Sequence, residues 1–206
     1  MTIAQNFIAG QRVGSGTVRL QSLDASTGDA LPREFLQATD AEVDAAARAA
    51  EAAFPAYNAL PPERRAQFLD AIAGELERLG DDFIATVCRE TALPAARIQG
   101  ERGRTANQMR LFARVLRRGD FLGARIDRAL PERQPLPRPD LRQYRTGVGP
   151  VAVFGASNFP LAFSTAGGDT AAALAAGCPV VVKAHSGHMA TAELVGGGHV
   201  AAVGLD

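Results

Sequence analysis

Cysteine and surplus charge are both scarce in this sequence of 206 residues. The only cysteines, Cys88 and Cys178, are far apart, which rules out a disulfide scaffold and fits the reducing cytoplasm. The 22 basic and 22 acidic residues cancel, which argues against a general binder of nucleic acid or of acidic membranes. No apolar run approaches a membrane span of about 18 residues, and the N-terminus lacks the features of a secretory signal. We therefore expect a soluble, cytoplasmic α/β protein.

Hydrophobic periodicity and cap residues predict a largely helical region over the first 120 residues. Residues 6–20 are expected to form a small hairpin before it. The first helix begins with capping-box spacing at Thr39 and Glu42 and is expected to stop at Pro55. Three more helices are predicted, from Pro61-Pro62 to Gly80, from Asp81-Asp82 through Val87, and from about Pro94 to Arg118.

The longest predicted helix is rich in arginine: Arg97, Arg102, Arg104, Arg110, Arg114, Arg117 and Arg118. We interpret most of these side chains as a solvated cationic face, with Met109, Phe112 and Leu116 as the buried stripe. A nucleic-acid patch is the weaker interpretation, because the chain as a whole has no positive field.

Residues 121–145 differ in composition from what precedes them. Two segments typical of extended chain flank PERQPLPRPD, whose four prolines exclude a helix. We expect a linker or an extended ribbon that contacts other subunits of an oligomer. From there the chain becomes apolar and almost uncharged, so the sequence divides into residues 1–120, the ribbon at 121–145, and residues 146–206.

A strand–loop–helix–strand unit is predicted after the ribbon. Val151–Phe154 and Pro179–Val182 are short apolar runs typical of buried parallel strands. A helix of small residues is expected between them from Pro160 to Ala176, with Gly167-Gly168 inside it for close packing on the sheet. No GxGxxG follows the first strand, so the ordinary dinucleotide fingerprint is absent. The unit is still the building block of a doubly wound sheet, which binds ligands at the carboxyl ends of its strands.

Two polar residues follow those carboxyl ends, and each has two interpretations. Asn158 is either an ordinary turn or cap asparagine or an amide that donates to an oxyanion. Lys183 either reaches from a strand end into solvent or contacts the ribose or phosphate of a nucleotide. The local pattern leaves both pairs open.

Long strings of this sequence resemble the aldehyde dehydrogenase superfamily: GPVAVFGASNFPLAFSTAGGDTAAALAAGCPVVVKAHSGH, RETALPAARIQGERGRTANQMRLFARVL and ALPERQPLPRPDL. The resemblance covers about residues 5–195. Within the superfamily, the sequence is most similar to an NADP-preferring bacterial branch that oxidises α-ketoglutaric semialdehyde (2,5-dioxopentanoate). It implies an α/β fold with a partial doubly wound parallel sheet, preceded by helices and an oligomerisation-type ribbon. Residues 1–120 would then be the hairpin and helices of a coenzyme domain, and residues 146–206 the first half of its dinucleotide-binding sheet.

The resemblance also implies a chemistry and a cofactor. Members oxidise aldehydes to carboxylates with NAD(P), using a cysteine thiolate as nucleophile and a glutamate that activates water. The asparagine of the family's N-F-P motif is Asn158 here, an oxyanion donor, and the cofactor's nicotinamide-ribose side would lie along Phe154, Gly155, Ala156 and Ser157. Lys183 matches the lysine that binds the adenosine ribose. Ser186 stands where NAD-specific members often carry a glutamate, and with His185 it could donate to a 2′-phosphate, so NADP is favoured while NAD remains possible.

A substrate of that branch carries a carboxylate beyond its aldehyde, and such a group calls for a cationic anchor. Arg104 lies where relatives place a substrate-tunnel residue and shares a helix face with Gly100 and Gln108. We therefore expect Arg104 to pair with the substrate carboxylate beside Phe159 and Phe163, the alternative being an ordinary solvated arginine.

The sequence also departs from the family. Family chains are more than twice as long, and the nucleophilic cysteine and the base are expected after residue 206, so we expect a truncated chain that is inactive alone. Cys88 and Cys178 lack the setting of a nucleophile, and no metal site is expected because the three histidines, at positions 185, 188 and 199, lack ligand company and are expected in loops or on the surface. Gly196-Gly197-Gly198 is expected to break a helix. The alternative function is a non-catalytic nucleotide-binding or oligomerisation module.

Overall fold

A computed structural model describes the backbone of residues 3–203 and the side chains through residue 197. The elements in chain order are β1 (Asn6–Ile8), β2 (Gln11–Val13), β3 (Arg19–Leu23), β4 (Ala30–Leu36), α1 (Asp40–Asn58), α2 (Pro62–Arg78), α3 (Asp81–Thr91), α4 (Ala95–Arg118), β5 (Arg125–Asp127), β6 (Leu141–Gln143), β7 (Val151–Phe154), α5 (Gly168–Ala175), β8 (Val180–Lys183) and α6 (Met189–Val203). Short 3-10 turns follow α4 and β8.

The core lies where α2 packs along α4, with α3, α5 and α6 closing around the pair. Apolar side chains recur at helical spacing on both long helices, so each has one stripe that leaves water. On α4 the predicted stripe is confirmed for Met109 and Leu116, which are buried, while Phe112 is partly buried against the same cluster. The arginines of α4 do not form one solvated face, because Arg110 and Arg117 make ion pairs with Glu77 and Glu63 of α2.

The first helix starts as predicted but does not stop at Pro55. The Thr39 hydroxyl and the Glu42 carboxylate form a complete capping box. Pro55 lies inside α1, which continues to Asn58. Proline removes only one hydrogen bond near the helix end, and the last turn is held by Tyr57, whose hydroxyl donates to the Leu174 carbonyl at 3.0 Å. The contact between Tyr57 and Leu174 therefore keeps the last turn of α1 helical despite Pro55.

The strands within residues 3–203 form four two-stranded sheets. The hairpin predicted over residues 6–20 is shorter than expected, because β1 and β2 close it by residue 13 and β3 pairs with β4 instead. The two extended segments of the ribbon are confirmed as β5 and β6, which pair antiparallel. β7 and β8 pair in parallel, from Val151 with Val180 to Phe154 with Lys183. The expectation that both are buried strands is wrong for most of their residues, since only Val153 is buried.

The helix between β7 and β8 is half as long as predicted. Residues 160–167 form irregular turns, and α5 begins only at Gly168, so the glycine pair starts the helix and does not lie inside it. Gly167 serves close packing, though against the preceding turn and not the sheet. A Cβ at Gly167 would lie 2.5 Å from the Ala162 carbonyl oxygen, a distance that no side chain tolerates.

The expectation that three glycines break a helix after residue 195 is wrong, because α6 runs through them. Its first turn is fixed by Glu90 of α3, whose carboxylate accepts from the backbone N–H groups of Ala190 and Thr191 at 2.8 and 2.9 Å. A Cβ at Gly196 would lie 3.5 Å from the Phe7 ring, so β1 packs closely there. Capping and packing offset the low helix propensity of glycine, about 1 kcal/mol per residue against alanine.

Candidate functional site

The carboxyl ends of β7 and β8 lie side by side and carry the predicted cofactor residues. Phe154 pairs with Lys183 at the last position of the register, and the Gly155 N–H donates to the Lys183 carbonyl at 3.4 Å. Because parallel strands end at the same sheet edge, the loops that follow them share one surface. The Phe154 and Lys183 side chains are both exposed at this edge.

The loop after β7 is anchored at Ala156. Its N–H donates to the Phe163 carbonyl at 2.8 Å, and its carbonyl oxygen lies 2.8 Å from Nε2 of His188. At Gly155 a Cβ would lie 3.0 Å from Oγ of Ser164 and 3.4 Å from the His185 side chain. Ser164 and His185 therefore pack closely on Gly155, and this turn has little room for a side chain at that position.

Asn158 follows in the same loop and is exposed, as is Ser157. Its backbone carbonyl oxygen accepts a hydrogen bond from the Arg97 guanidinium at 2.9 Å. The next residue, Phe159, meets Phe163 edge to face with ring centroids 5.3 Å apart. The asparagine amide thus projects from a loop whose backbone is tied to α4.

Arg104 lies beside the two phenylalanines with which the sequence grouped it. Its guanidinium is 5.6 Å from the Phe159 ring centroid and 5.3 Å from that of Phe163. The side chain is exposed and has a free approach from solvent. The structure brings these three residues together as a cationic and aromatic cluster next to Asn158.

Two residues next to this cluster, Arg97 and Glu101, were not among the site residues predicted from the sequence. The guanidinium of Arg97 lies 5.2 Å from the Phe159 centroid. The Oε1 atom of Glu101 accepts from the backbone N–H groups of Leu161 and Ala162 at 2.9 and 3.0 Å. Positions 97, 101 and 104 recur at i, i+4 and i+7, which puts them on one helix face and was the signal available in the sequence.

The loop after β8 carries a pair of stacked histidines. The rings of His185 and His188 lie 5.0 Å apart, at 23° to each other. Nδ1 of His185 accepts from the Gly187 N–H at 3.1 Å, and Ser186 is exposed beside it. Burial, together with His188 and then Lys183 nearby, holds the pKa of His185 below its ordinary value of 6.5. His185 is consequently neutral at pH 7.

His188 does not lie on the surface as the sequence analysis expected. It is buried, and its bond to the Ala156 carbonyl links the loop after β8 to the loop after β7. Nε2 must carry a proton to donate to this carbonyl. The side chain of His199 lies outside the described side chains.

Neither cysteine faces this surface. Cys178 is buried between α5 and β8, and Cys88 packs half-buried against the helical core. Through the described side chains, no cluster of three or more histidine, cysteine, aspartate or glutamate residues could hold a metal ion. No helix in the described part of the chain is both long enough and apolar enough to cross a membrane.

The fold is α/β with a parallel pair of strands beside the candidate site, and comparison with known proteins identifies the family. Residues 14–205 match the model of the aldehyde dehydrogenase family, so this chain belongs to that family. The expected α/β fold is confirmed by solved structures. The Physcomitrella patens aldehyde dehydrogenase 21, in complex with its reaction product succinate, superposes with a TM-score of 0.81 at 25% identity over 97% of this chain and 40% of its own. Thermus thermophilus HpcC gives 0.82 at 26% identity over 98% and 37%.

Two curated relatives are much more similar in sequence. The α-ketoglutaric semialdehyde dehydrogenase of Acinetobacter baylyi is 62% identical over 191 residues, which are 93% of this chain and 36% of that protein. The α-ketoglutaric semialdehyde dehydrogenase 2 of Azospirillum brasilense is 56% identical over 191 residues, or 92% and 36%. The chain therefore spans about a third of the length of the curated relatives that it matches.

Proposed function

We propose that this chain belongs to an enzyme that oxidises α-ketoglutaric semialdehyde to the dicarboxylate with NADP. The observation that carries the proposal is the identity of 62% and 56%, over nearly all of this chain, to two α-ketoglutaric semialdehyde dehydrogenases. Residues of the cofactor and substrate sites lie within that stretch, so the chemistry they support is expected to be shared. Two free cysteines also support a reducing, cytoplasmic location.

The edge formed by β7 and β8 fits a dinucleotide. The exposed strand ends and the exposed Ser157 leave room for the nicotinamide and its ribose along residues 154–157. Lys183, His185 and Ser186 would hold the adenosine ribose at the neighbouring strand end. When bound, NADP supplies the acceptor for the hydride that leaves the aldehyde carbon. These residues bind and orient it there.

Specificity for NADP is argued from charge at the same strand end. Ser186 places no carboxylate near a 2′-phosphate, and the exposed Lys183 ammonium attracts one. His185 is neutral because its pKa is lowered, so it contributes a hydrogen bond and no charge. Because Lys183 attracts the 2′-phosphate and no carboxylate at position 186 repels it, this strand end favours NADP over NAD.

Asn158 and Arg104 act on the substrate in this proposal. The Asn158 amide donates to the carbonyl oxygen as negative charge develops on it, a contribution whose loss typically costs about 100-fold to 1000-fold in kcat. Arg104 pairs with the distal carboxylate, and Phe159 and Phe163 line the path between. In support, the Physcomitrella relative binds succinate, which is itself a dicarboxylate.

The ribbon of residues 121–145 is proposed to join subunits of a homo-oligomer, between the two parts of the coenzyme domain at 1–120 and 146–206. Its apolar side chains are turned to solvent, with Ile126 63% and Tyr144 66% exposed. Apolar groups this exposed on a narrow hairpin favour a partner surface. The same exposure supports the alternative function, an oligomerisation module without catalysis.

Enzyme assays with a hybrid test the proposed function. In the hybrid enzyme this chain replaces the matching portion of the Acinetobacter baylyi relative. We expect it to oxidise α-ketoglutaric semialdehyde, with a higher kcat/KM for NADP than for NAD. The 206-residue chain alone is expected to show no turnover, because both of its cysteines are packed away from the site. A hybrid that binds neither nucleotide and oxidises no aldehyde, although folded, contradicts the proposal and supports the non-catalytic module.

A further inference from the structure

Helix α4 binds both ends of residues 158–162, a part of the loop after β7 that we call the Asn158 loop. At the start of the loop, the Arg97 guanidinium donates to the Asn158 carbonyl oxygen at 2.9 Å. At its end, the Glu101 carboxylate accepts from the N–H groups of Leu161 and Ala162 at 2.9 and 3.0 Å. We propose that Arg97 and Glu101 are positioning residues that fix the direction of the Asn158 amide. This inference rests on the proposed role of Asn158.

The Glu101 attachment is strong because both partners are buried. The Glu101 side chain is only 5% exposed, and Leu161 and Ala162 are buried as well. Their N–H groups would lose their hydrogen-bond acceptor if the carboxylate moved, at a cost of about 1–3 kcal/mol for each buried group. Both bonds go to Oε1, while Oε2 is buried without a hydrogen-bond partner among the described residues. Loop and helix are therefore expected to keep one relative arrangement.

Arg97 contacts two neighbouring residues of the Asn158 loop, Asn158 and Phe159. Its guanidinium binds the backbone of Asn158 and also lies over the Phe159 ring, 5.2 Å from the centroid. Arg104 lies over the same ring at 5.6 Å. Phe159 is thus flanked by two cations, which restricts rotation of the peptide that carries the asparagine. A displacement of about 1 Å at such a donor can cost roughly 100-fold in rate.

The hybrid enzyme tests the inference with four variants. Glu101→Ala removes the acceptor, Glu101→Gln keeps an acceptor oxygen in the same place, and Arg97→Ala removes the other attachment. Arg114→Ala is the matched control, because Arg114 is an exposed arginine of the same helix far from the loop. Two quantities are measured: hydrogen exchange in peptides covering residues 156–163, and kcat and KM for the aldehyde and for NADP.

We expect Glu101→Ala to speed exchange in this segment by about tenfold or more, which corresponds to about 1.4 kcal/mol. Its kcat is expected to fall roughly 10-fold to 100-fold while both KM values stay within about threefold, because the donor is misplaced and the binding groups remain. Glu101→Gln should restore most of the kcat. Arg97→Ala should change exchange and kcat in the same direction, and Arg114→Ala neither.

If Glu101→Ala leaves hydrogen exchange in residues 156–163 unchanged, the proposal that Glu101 holds this loop is wrong. Faster exchange with unchanged kcat overturns the effect on Asn158. If Glu101→Ala does not fold, Arg97→Ala decides in the same way, because Arg97 is on the surface. A hybrid without activity counts against the proposed function alone, and the exchange measurement still decides the attachment.

Discussion

The residues at the ends of β7 and β8 differ in charge and in packing. Lys183 presents an exposed ammonium, whereas Gly155 is packed closely against Ser164 and His185. His185, whose ring accepts from Gly187 and stacks on His188, stays neutral because its pKa is lowered by burial and by its neighbours. Only one of the residues expected near the adenosine ribose therefore carries a charge at pH 7, and the affinity for a 2′-phosphate should depend on it.

Replacing Lys183, which carries that charge, gives a prediction about the affinity for the cofactor. Lys183→Ala should weaken NADPH binding to the hybrid enzyme about tenfold or more, since a charge-assisted hydrogen bond contributes about 1.5–3 kcal/mol. His185→Asn, which keeps an acceptor for the Gly187 N–H, should change it by less than about threefold at pH 7. Titration of NADPH fluorescence measures both. Equal losses in the two variants would contradict the assignment of the charge to Lys183.

Arg104 gives a prediction about substrate choice. Arg104→Ala should raise the KM of the hybrid enzyme for α-ketoglutaric semialdehyde about tenfold or more, because an ion pair with the distal carboxylate is lost. The KM for a neutral aldehyde of similar length should change little. Steady-state kinetics with the two substrates provide the comparison, and equal effects on both would leave Arg104 as an ordinary surface arginine.

At the scale of elements, α4 has two functions on neighbouring faces. One face supplies Met109 and Leu116 to the core, and the other carries Arg97, Glu101 and Arg104 along the site. A rigid, packed helix suits the second function, because a site held by a secondary-structure element keeps its geometry better than one held by a loop. The turns before α5 depend on this support.

Glycine at the start of α5 gives a prediction about stability. Gly167→Ala should destabilise the protein by about 1–3 kcal/mol, because its Cβ would meet backbone atoms of the preceding turn, the nearest at 2.5 Å. Gly74→Ala is the matched control. It lies within α2 with nothing within 4 Å of a Cβ, and should stabilise the protein by about 1 kcal/mol through helix propensity. Denaturant unfolding of the hybrid enzyme measures both, and a neutral Gly167→Ala would disprove the close approach.

At the scale of the whole molecule, exposed large apolar side chains are most numerous in the ribbon, at Ile126, Leu130, Leu136, Leu141 and Tyr144. Phe154, at the end of β7, is exposed, and so are Ile126 and Tyr144 of the ribbon. Exposed strands with apolar side chains pair readily with other chains.

The ribbon gives a prediction about assembly. Ile126→Asp in the hybrid enzyme should shift the oligomer toward smaller species, because a buried, unpaired carboxylate at a subunit contact is costly. Val43→Asp is the control, since Val43 is 56% exposed on α1, away from the ribbon. Light scattering after gel filtration gives the mass of each. An unchanged mass for Ile126→Asp would remove the ribbon from the subunit contact.

Local signals in the sequence were sufficient for several elements. Thr39 with Glu42, Pro61-Pro62 and the apolar stripe of α4 each act through neighbours within two turns, so they predicted helix starts and faces correctly. The parallel pairing of β7 with β8 also followed from the apolar runs and the segment between them. Errors occurred where a distant residue decides, as at Pro55, which Tyr57 and Leu174 keep within a helix.

The sequence by itself determined the family, the α/β class and the placing of Asn158 and Lys183 at strand ends, because these depend on local pattern and on strings long enough to compare. Only the tertiary structure decided where α5 begins, that His188 is buried, and that Glu101 holds the Asn158 loop. The reason is physical. The last two of these features involve hydrogen bonds between residues about 30 to 60 positions apart, whose partners cannot be paired until the chain has packed.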